Sequence, residues 1–162
     1  MKANKIILKN YEIFNDDPVD GVSIDFNEDN IKQWNIIILG PRDTSYEGGI
    51  FKATITFPNN FPLYPPEFKF INPPYHPNIY EDGRVCISIL HPPGDDEWGY
   101  EKAEERWRPI HTVNSILISI ISLLSSPNDE SPANIDAAKL WREDKVKFQE
   151  KINICIRNSL DK

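Results

Sequence analysis

Between residues 22 and 71 the chain carries four short segments in strand pattern, and their close spacing restricts what it can fold into more than any other feature. Val22 to Phe26 alternates apolar with polar residues, and Trp34 to Leu39 is a more continuous apolar run. Ile50 to Phe57 alternates through Phe51, Ala53, Ile55 and Phe57, and Glu67 to Ile71 through Phe68 and Phe70. Turn-rich links separate them: Asn27 to Asn30, Gly40-Pro41-Arg42-Asp43 and Pro58-Asn59-Asn60. Short links between successive alternating strands favour an antiparallel meander over crossover connections. One face of such a sheet needs a cover.

Helical patterns on either side supply it. Residues 112–125 have the clearest helical period, with Val113, Ile116, Leu117, Ile120, Ile121 and Leu124 on one face and Thr112 placed as N-cap. This segment is expected to be the central helix against the sheet. An amphipathic helix is expected over residues 3–14, ended by Asp16-Asp17-Pro18, with Lys2, Lys5 and Lys9 on its polar side. Two further helices are expected from about Ala133 to Trp141 and from about Glu143 to Leu160, the last patterned by Val146, Phe148, Ile152, Ile154 and Ile156. The expected class is therefore α+β, and 162 residues suit one domain with a sizeable core.

Composition narrows the partners. A net charge of −7 argues against nucleic acid, whose phosphates call for a basic surface. Two cysteines, Cys86 and Cys155, make no disulfide framework and fit a reducing compartment, with Cys155 read as a buried small apolar residue of the last helix. The first residues hold too short an apolar run for a signal peptide, and Ile116 to Leu124 is too short to span a bilayer, so a cytoplasmic chain without direct membrane insertion is expected.

Chemistry concentrates between Tyr75 and Ile89. Cys86 lies among Val85, Ile87 and Ile89, just after an Asp82-Gly83 turn signal, with His76-Pro77-Asn78 upstream. Pro62, Pro65, Pro66, Pro73, Pro74 and Pro77 make residues 58–66 and 72–78 stiff extended loops. Cys86 is read as a nucleophile and Asn78 as its oxyanion partner or as a brace for the loop; His76, on a proline-locked turn, is read as structural. No strong local activator of the thiol is evident, since His91 and His111 carry no protease-like signature. A cysteine that carries an acyl group by thioester exchange, rather than cleaving an amide, can work without a dyad. A long polar connection follows over residues 91–109, with Asp95, Asp96 and Glu97 close in sequence to the thiol. A loop of that length inside a domain points to function.

His76-Pro77-Asn78 followed by Gly83-Arg84-Val85-Cys86-Ile87 resembles the active-site signature of ubiquitin-conjugating enzymes. Gly40-Pro41 with Tyr46-Glu47-Gly48-Gly49-Ile50-Phe51, the loop Phe61-Pro62-Leu63-Tyr64-Pro65-Pro66, Trp107-Arg108-Pro109 and Ser126-Pro127-Asn128 resemble further family motifs in the same order. An insertion at about 91–107 resembles that of the acidic-loop subgroup, the yeast Ubc7-like and human G-type conjugating enzymes. The resemblance implies a single catalytic domain over residues 1–162. Its sheet would have four strands, with an N-terminal helix, a central helix and two C-terminal helices. It also implies a cis peptide at the second of the paired prolines Pro65-Pro66.

For function, it implies that Cys86 accepts ubiquitin as a thioester from an activating enzyme and passes it to a lysine amine, building degradative chains with a ligase of RING type. No metal and no bound cofactor are implied; ATP is consumed upstream by the activating enzyme. Many members have an aspartate where this chain has Ser131, which leaves Ser131 a gate candidate. Asp95, Asp96 and Glu97 would then orient the acceptor lysine or the donor ubiquitin. Ligase docking would fall on Leu63, Trp107 and Pro109, and activating-enzyme docking on Lys2, Lys5 and Lys9. The protein would act as a monomer, reaching the endoplasmic reticulum surface only through a partner. A carrier of another ubiquitin-like modifier, a non-catalytic ubiquitin-binding variant and an unrelated thiol hydrolase stand as alternatives.

Overall fold

The computed structural model describes residues 2–161. The four strand segments form one antiparallel sheet in sequence order: β1 (Val22–Phe26), β2 (Gln33–Leu39), β3 (Ile50–Thr56) and β4 (Glu67–Phe70). Register runs from Val22 opposite Ile38 to Ile55 opposite Phe68. The expected meander is what forms. β2 departs from the expected continuous apolar run, because burial alternates strictly along it. Trp34, Ile36 and Ile38 enter the core, while Ile37 and Leu39 face outward, so the helices cover one side of the sheet only.

Four helices pack around that sheet: α1 (Lys2–Asp16), α2 (Val113–Ser125), α3 (Ile135–Glu143) and α4 (Lys145–Leu160). The side chain of Thr112 caps α2 by accepting from the Ser115 amide, as its position suggested. A second capping contact comes from α1: buried Asn10 accepts from the Val113 amide at 2.9 Å and returns its own amide to Ile6 O. One polar side chain thereby satisfies an orphan donor of the central helix and fastens α1 to it. Asn134 and Asp144 cap α3 and α4, which begin about two residues later than expected.

The apolar pattern read for α4 holds only in part. Phe148 and Ile152 are buried, but Val146 and Ile154 are exposed. Cys155 is half-buried beneath Pro73 rather than enclosed in the core.

A chain of aromatic contacts crosses the core, from Tyr11 of α1 through Phe26, Trp34, Phe57 and Phe61 to Trp107. Trp107 is fully buried, and its indole N–H donates to Pro62 O at 2.8 Å. The expectation that Trp107 is an exposed ligase anchor is therefore wrong: its ring is core, and its polar edge ties two surface loops together. The cis peptide lies at Phe61–Pro62, at the start of the proline-rich loop, not at Pro65–Pro66 as expected.

Residues 78–86 form a tight hairpin on the edge of the sheet. Ile79 pairs with Val85, Tyr80 N donates to Arg84 O and Gly83 N to Tyr80 O. The hairpin joins β4 through the Lys69–Arg84 bridge and the bond from Phe70 N to Gly83 O at 2.9 Å. Gly83 has φ of 99°, and a Cβ there would stand 2.0 Å from Phe70 O. Only glycine lets the turn lie this close to β4. Gly83→Ala should cost about 1–3 kcal/mol from the left-handed backbone alone, with the clash adding to it; urea denaturation of both proteins measures the loss.

Candidate active site

The site is assembled on a loop whose polar groups are buried. His76 and Asn78 are almost inaccessible, so their hydrogen-bonding groups must be satisfied within the protein. His76 Nδ1 accepts from the Asn78 amide at 2.9 Å, which puts the ring proton on Nε2, and Nε2–H donates to Leu123 O at 2.8 Å near the end of α2. Burial disfavours the imidazolium and lowers its pKa to about 4, against a smaller opposing effect of the Leu123 carbonyl. A neutral ring with both nitrogens occupied holds the loop and transfers no proton, in keeping with the structural reading of His76.

The Asn78 side chain bridges to the segment after α2. Its Oδ1 accepts from the Asn128 amide at 2.8 Å, while its Nδ2 donates to Asn128 O at 2.5 Å and lies 3.4 Å from Ser131 O. The Asn78 carbonyl accepts from the Cys86 amide at 2.8 Å, and the Pro77 carbonyl accepts from the amides of Ala133 and Asn134. Asn78 thus joins the hairpin carrying the thiol to the 126–134 segment. Both ends of its amide are engaged, a brace geometry; an oxyanion contact would require Nδ2 to release Asn128 or Ser131.

Cys86 is half-buried between two hollows. One, of about 840 Å³, lies on the sheet side and is lined by Phe57, Tyr64, Pro65, Tyr80 and Arg84. The other, of about 760 Å³, runs between the 91–107 connection and the 126–134 segment. Ser131 lines the second hollow together with Asn78 and Cys86, so the structure brings these three predicted residues together.

The 91–107 connection is built rather than structureless. Its neck closes where Trp107 N donates to His91 O at 3.0 Å, and short 3-10 turns occupy Ser88–Leu90 and Ala103–Glu105. The three predicted acids play different parts. Asp96 is a staple inside the loop, accepting from the amides of Trp98 and Glu101, and these bonds hold its carboxyl below the usual range. Asp95 and Glu97 have exposed side chains.

Of the acids lining the second hollow, the one bonded to Ser88 and His91 is Glu101, which sequence reasoning missed. It accepts from Ser88 Oγ at 2.6 Å and from His91 Nδ1 at 2.8 Å, and lies 3.3 Å from Arg106 Nε. His91, set aside in the sequence for want of a protease-like signature, is brought to the thiol as well. His91 lines both hollows with Cys86, and its pKa is raised to about 9. Hydrogen bonding to the Cys86 side chain contributes most, and Glu101 adds to it against the effect of burial. Spacing could have marked the histidine as near, but only the loop's path brings Glu101, fifteen residues past the thiol, back to it.

Further from the thiol, Leu63 is 61% exposed and Pro109 is exposed beside Ile110, itself 73% exposed and not anticipated from the sequence. The Trp107–Pro62 bond holds these two loops in register. Lys2, Lys5 and Lys9 are exposed on α1, with Lys9 paired to Glu12 at 3.4 Å. Among the described residues no cluster of His, Cys, Asp and Glu is placed to hold a metal ion, and no helix is long and apolar enough to cross a membrane.

Two outcomes follow from the buried loop. The native state binds no proton on His76 until pH falls to about 4, whereas an unfolded histidine titrates near 6.5. Unfolding therefore takes up a proton between these values, and stability should fall as pH drops from about 6.5 through 4, by about 3 kcal/mol in all. Urea midpoints against pH, with His76→Gln lacking this component, check it. Asn78→Ala should lower stability by about 1–3 kcal/mol through orphaned partners; a donor acting only in the transition state would leave the midpoint unmoved.

The sequence profile described as "Ubiquitin-conjugating enzyme" matches residues 6–156. The chain is 59% identical over 143 residues to "Ubiquitin-conjugating enzyme E2 7" of Arabidopsis thaliana, covering 88% of this chain and 86% of that one. It is 49% identical over 160 residues to "Ubiquitin-conjugating enzyme E2 15" of Schizosaccharomyces pombe, covering 98% and 96%. It is 46% identical over 159 residues to "Ubiquitin-conjugating enzyme E2 G2" of Homo sapiens, again covering 98% and 96%. A half-buried thiol on a braced hairpin, the four-stranded meander and these matches lead to one conclusion: the chain belongs to the ubiquitin-conjugating enzymes, transferases that work through a cysteine thioester.

Proposed function

We propose that Cys86 is the thioester carrier and that ubiquitin is its cargo, received from an activating enzyme that consumes ATP and passed to lysine amines in degradative chain building. The observation that carries this reading is the placement of Cys86, the one thiol that opens on both hollows, on a hairpin locked to β4 and to the Asn78 loop. The resemblance of the surrounding motifs and the names of the relatives supply the class of substrate.

In the transfer, a lysine nitrogen attacks the thioester carbonyl. The N–C bond forms and the C–S bond breaks. The sulfur leaves with the electron pair, and the amine nitrogen loses its proton to solvent. The protein's contribution is mainly geometric, since the thioester is already activated toward an amine and the rate depends on approach and orientation. Asn78 serves this reading as the brace that holds the 126–134 segment beside the thiol, with Ser131 at the rim as gate.

Leu63, Pro109 and Ile110 form an apolar docking tip for a ligase of RING type, and the lysines of α1 dock the activating enzyme. Asp95 and Glu97, whose side chains are exposed, meet the acceptor lysine or the donor ubiquitin. The enzyme works as a monomer in the cytoplasm, without a bound cofactor, and reaches the endoplasmic reticulum surface through a partner.

A charging assay with ubiquitin, activating enzyme and ATP tests the carrier. Wild type should give an adduct cleaved by thiol reductant, and Cys86→Ser a reductant-resistant ester or nothing. Failure of wild type to charge while Cys86 still alkylates would point to another modifier or to a binding-only role. Asp95→Asn with Glu97→Gln should slow chain formation severalfold at unchanged charging; unchanged chain formation would remove these two acids from the mechanism.

A further inference from the structure

Glu101 is the meeting point of everything that holds the acidic loop to the catalytic segment. Its side chain is 19% exposed, although it belongs to a stretch that otherwise faces solvent. Ser88 Oγ, two residues past Cys86, donates to it at 2.6 Å; His91 Nδ1 does so at 2.8 Å; and Arg106, itself 18% exposed, pairs with it at 3.3 Å. Its own amide is pinned by Asp96 at 2.8 Å. Burial alone pushes the Glu101 carboxyl up, but the bonds from Ser88 and His91 and the charges of His91 and Arg106 outweigh it and hold the group ionised. A carboxylate with three convergent partners at the base of an exposed loop is more than that loop needs to stay attached, since the Trp107–His91 backbone bond already closes its neck.

We propose that Glu101 is a positioning residue for transfer from Cys86: it fastens the acidic loop beside the sulfur and holds His91 as an imidazolium facing the bond that breaks. This rests on the reading of Cys86 as the thioester carrier. When the lysine nitrogen forms its bond to the carbonyl carbon, the C–S pair moves onto sulfur, and a cation beside that atom stabilises the developing charge. The proton lost by the amine goes to solvent, and His91 keeps its own throughout.

Charge around His91 is mixed, and its directed partners are Cys86 and Glu101. Arg106 stands behind the carboxylate, and Asp96, Glu105 and Glu130 line the same hollow. On the sheet side the charged or titratable neighbours are Tyr64, Glu67, Lys69, Tyr80 and Arg84. Replacing Glu101 by glutamine keeps the shape and removes the charge that holds the proton on His91.

The test separates carrying from transfer. Wild type, Glu101→Gln and His91→Gln are charged with ubiquitin to completion, and discharge by hydroxylamine, an amine already largely neutral above neutral pH, is followed from about pH 7 to pH 10. Wild-type discharge should stay level and then fall only above the ordinary histidine range, where His91 loses its proton; Glu101 still holds that proton once the Cys86 sulfur is acylated and its own bond to His91 is lost. In Glu101→Gln the fall should move down toward the ordinary histidine value of about 6.5, leaving discharge about tenfold slower at pH 8. His91→Gln should be slow and lack the step. The His91 ring resonances, titrated by NMR in the uncharged proteins, should shift in parallel. Coincident profiles for wild type and Glu101→Gln, with both fully charged, would overturn the proposal and leave the carrier reading intact. No adduct on wild type would overturn both.

Discussion

Burying a short polar loop is the constraint on which the rest of the molecule depends. His76, Pro77 and Asn78 lie inside the protein, where an unmade hydrogen bond costs far more than a made one contributes. Their groups are answered from four places: Leu123 near the end of α2, Asn128 and Ser131 in the following segment, Ala133 and Asn134 just before α3, and Cys86 on the hairpin. Apart from Leu123, none of these contact points lies in a helix or a strand. What makes them rigid is that each supplies a partner no water can replace. The nucleophile is therefore held by the cost of leaving amides and carbonyls unsatisfied, not by a helix or a strand of its own.

The same economy appears around the sheet. β4 would end in open edge, but the 78–86 hairpin covers part of it, and Gly83 lets the two backbones approach. The site is thereby an extension of the sheet's hydrogen-bond ladder. On the far side of the thiol, buried Trp107 anchors the returning chain, and the acidic loop is a closed excursion between His91 and Trp107. Such an insertion can vary in length and charge without disturbing the core, because its two ends are joined by a backbone bond.

Much of this was legible in the chain. Alternation and short links gave the meander, the helical period from Val113 and its Thr112 cap gave α2, and the Asp82-Gly83 signal marked the turn before Cys86. What misled was residue character read without its neighbours. Trp107, on a polar stretch, resembles an exposed anchor until Phe61 and Pro62 are seen to enclose it. The isoleucines of β2 read as a buried run, yet Ile37 faces outward, since apolar composition does not say how many faces of a sheet are covered. Asp95, Asp96 and Glu97 were chosen for closeness in sequence, and the loop bends so that Glu101, not these, is bonded to Ser88 and His91.

By itself the sequence determined the strand order, the central helix, the candidate nucleophile and the loop expected to support it. These depend on local periodicity, turn chemistry and residue type, which act over a few neighbours. Only the tertiary structure decided that Asn78 is engaged at both ends of its amide, that Asn10 caps a helix one hundred and three residues away, and that Glu101 and His91 meet beside Cys86. Hydrogen-bond partners and the charge state of a histidine are set by what surrounds a group in space. That surrounding exists only once distant segments have been packed together.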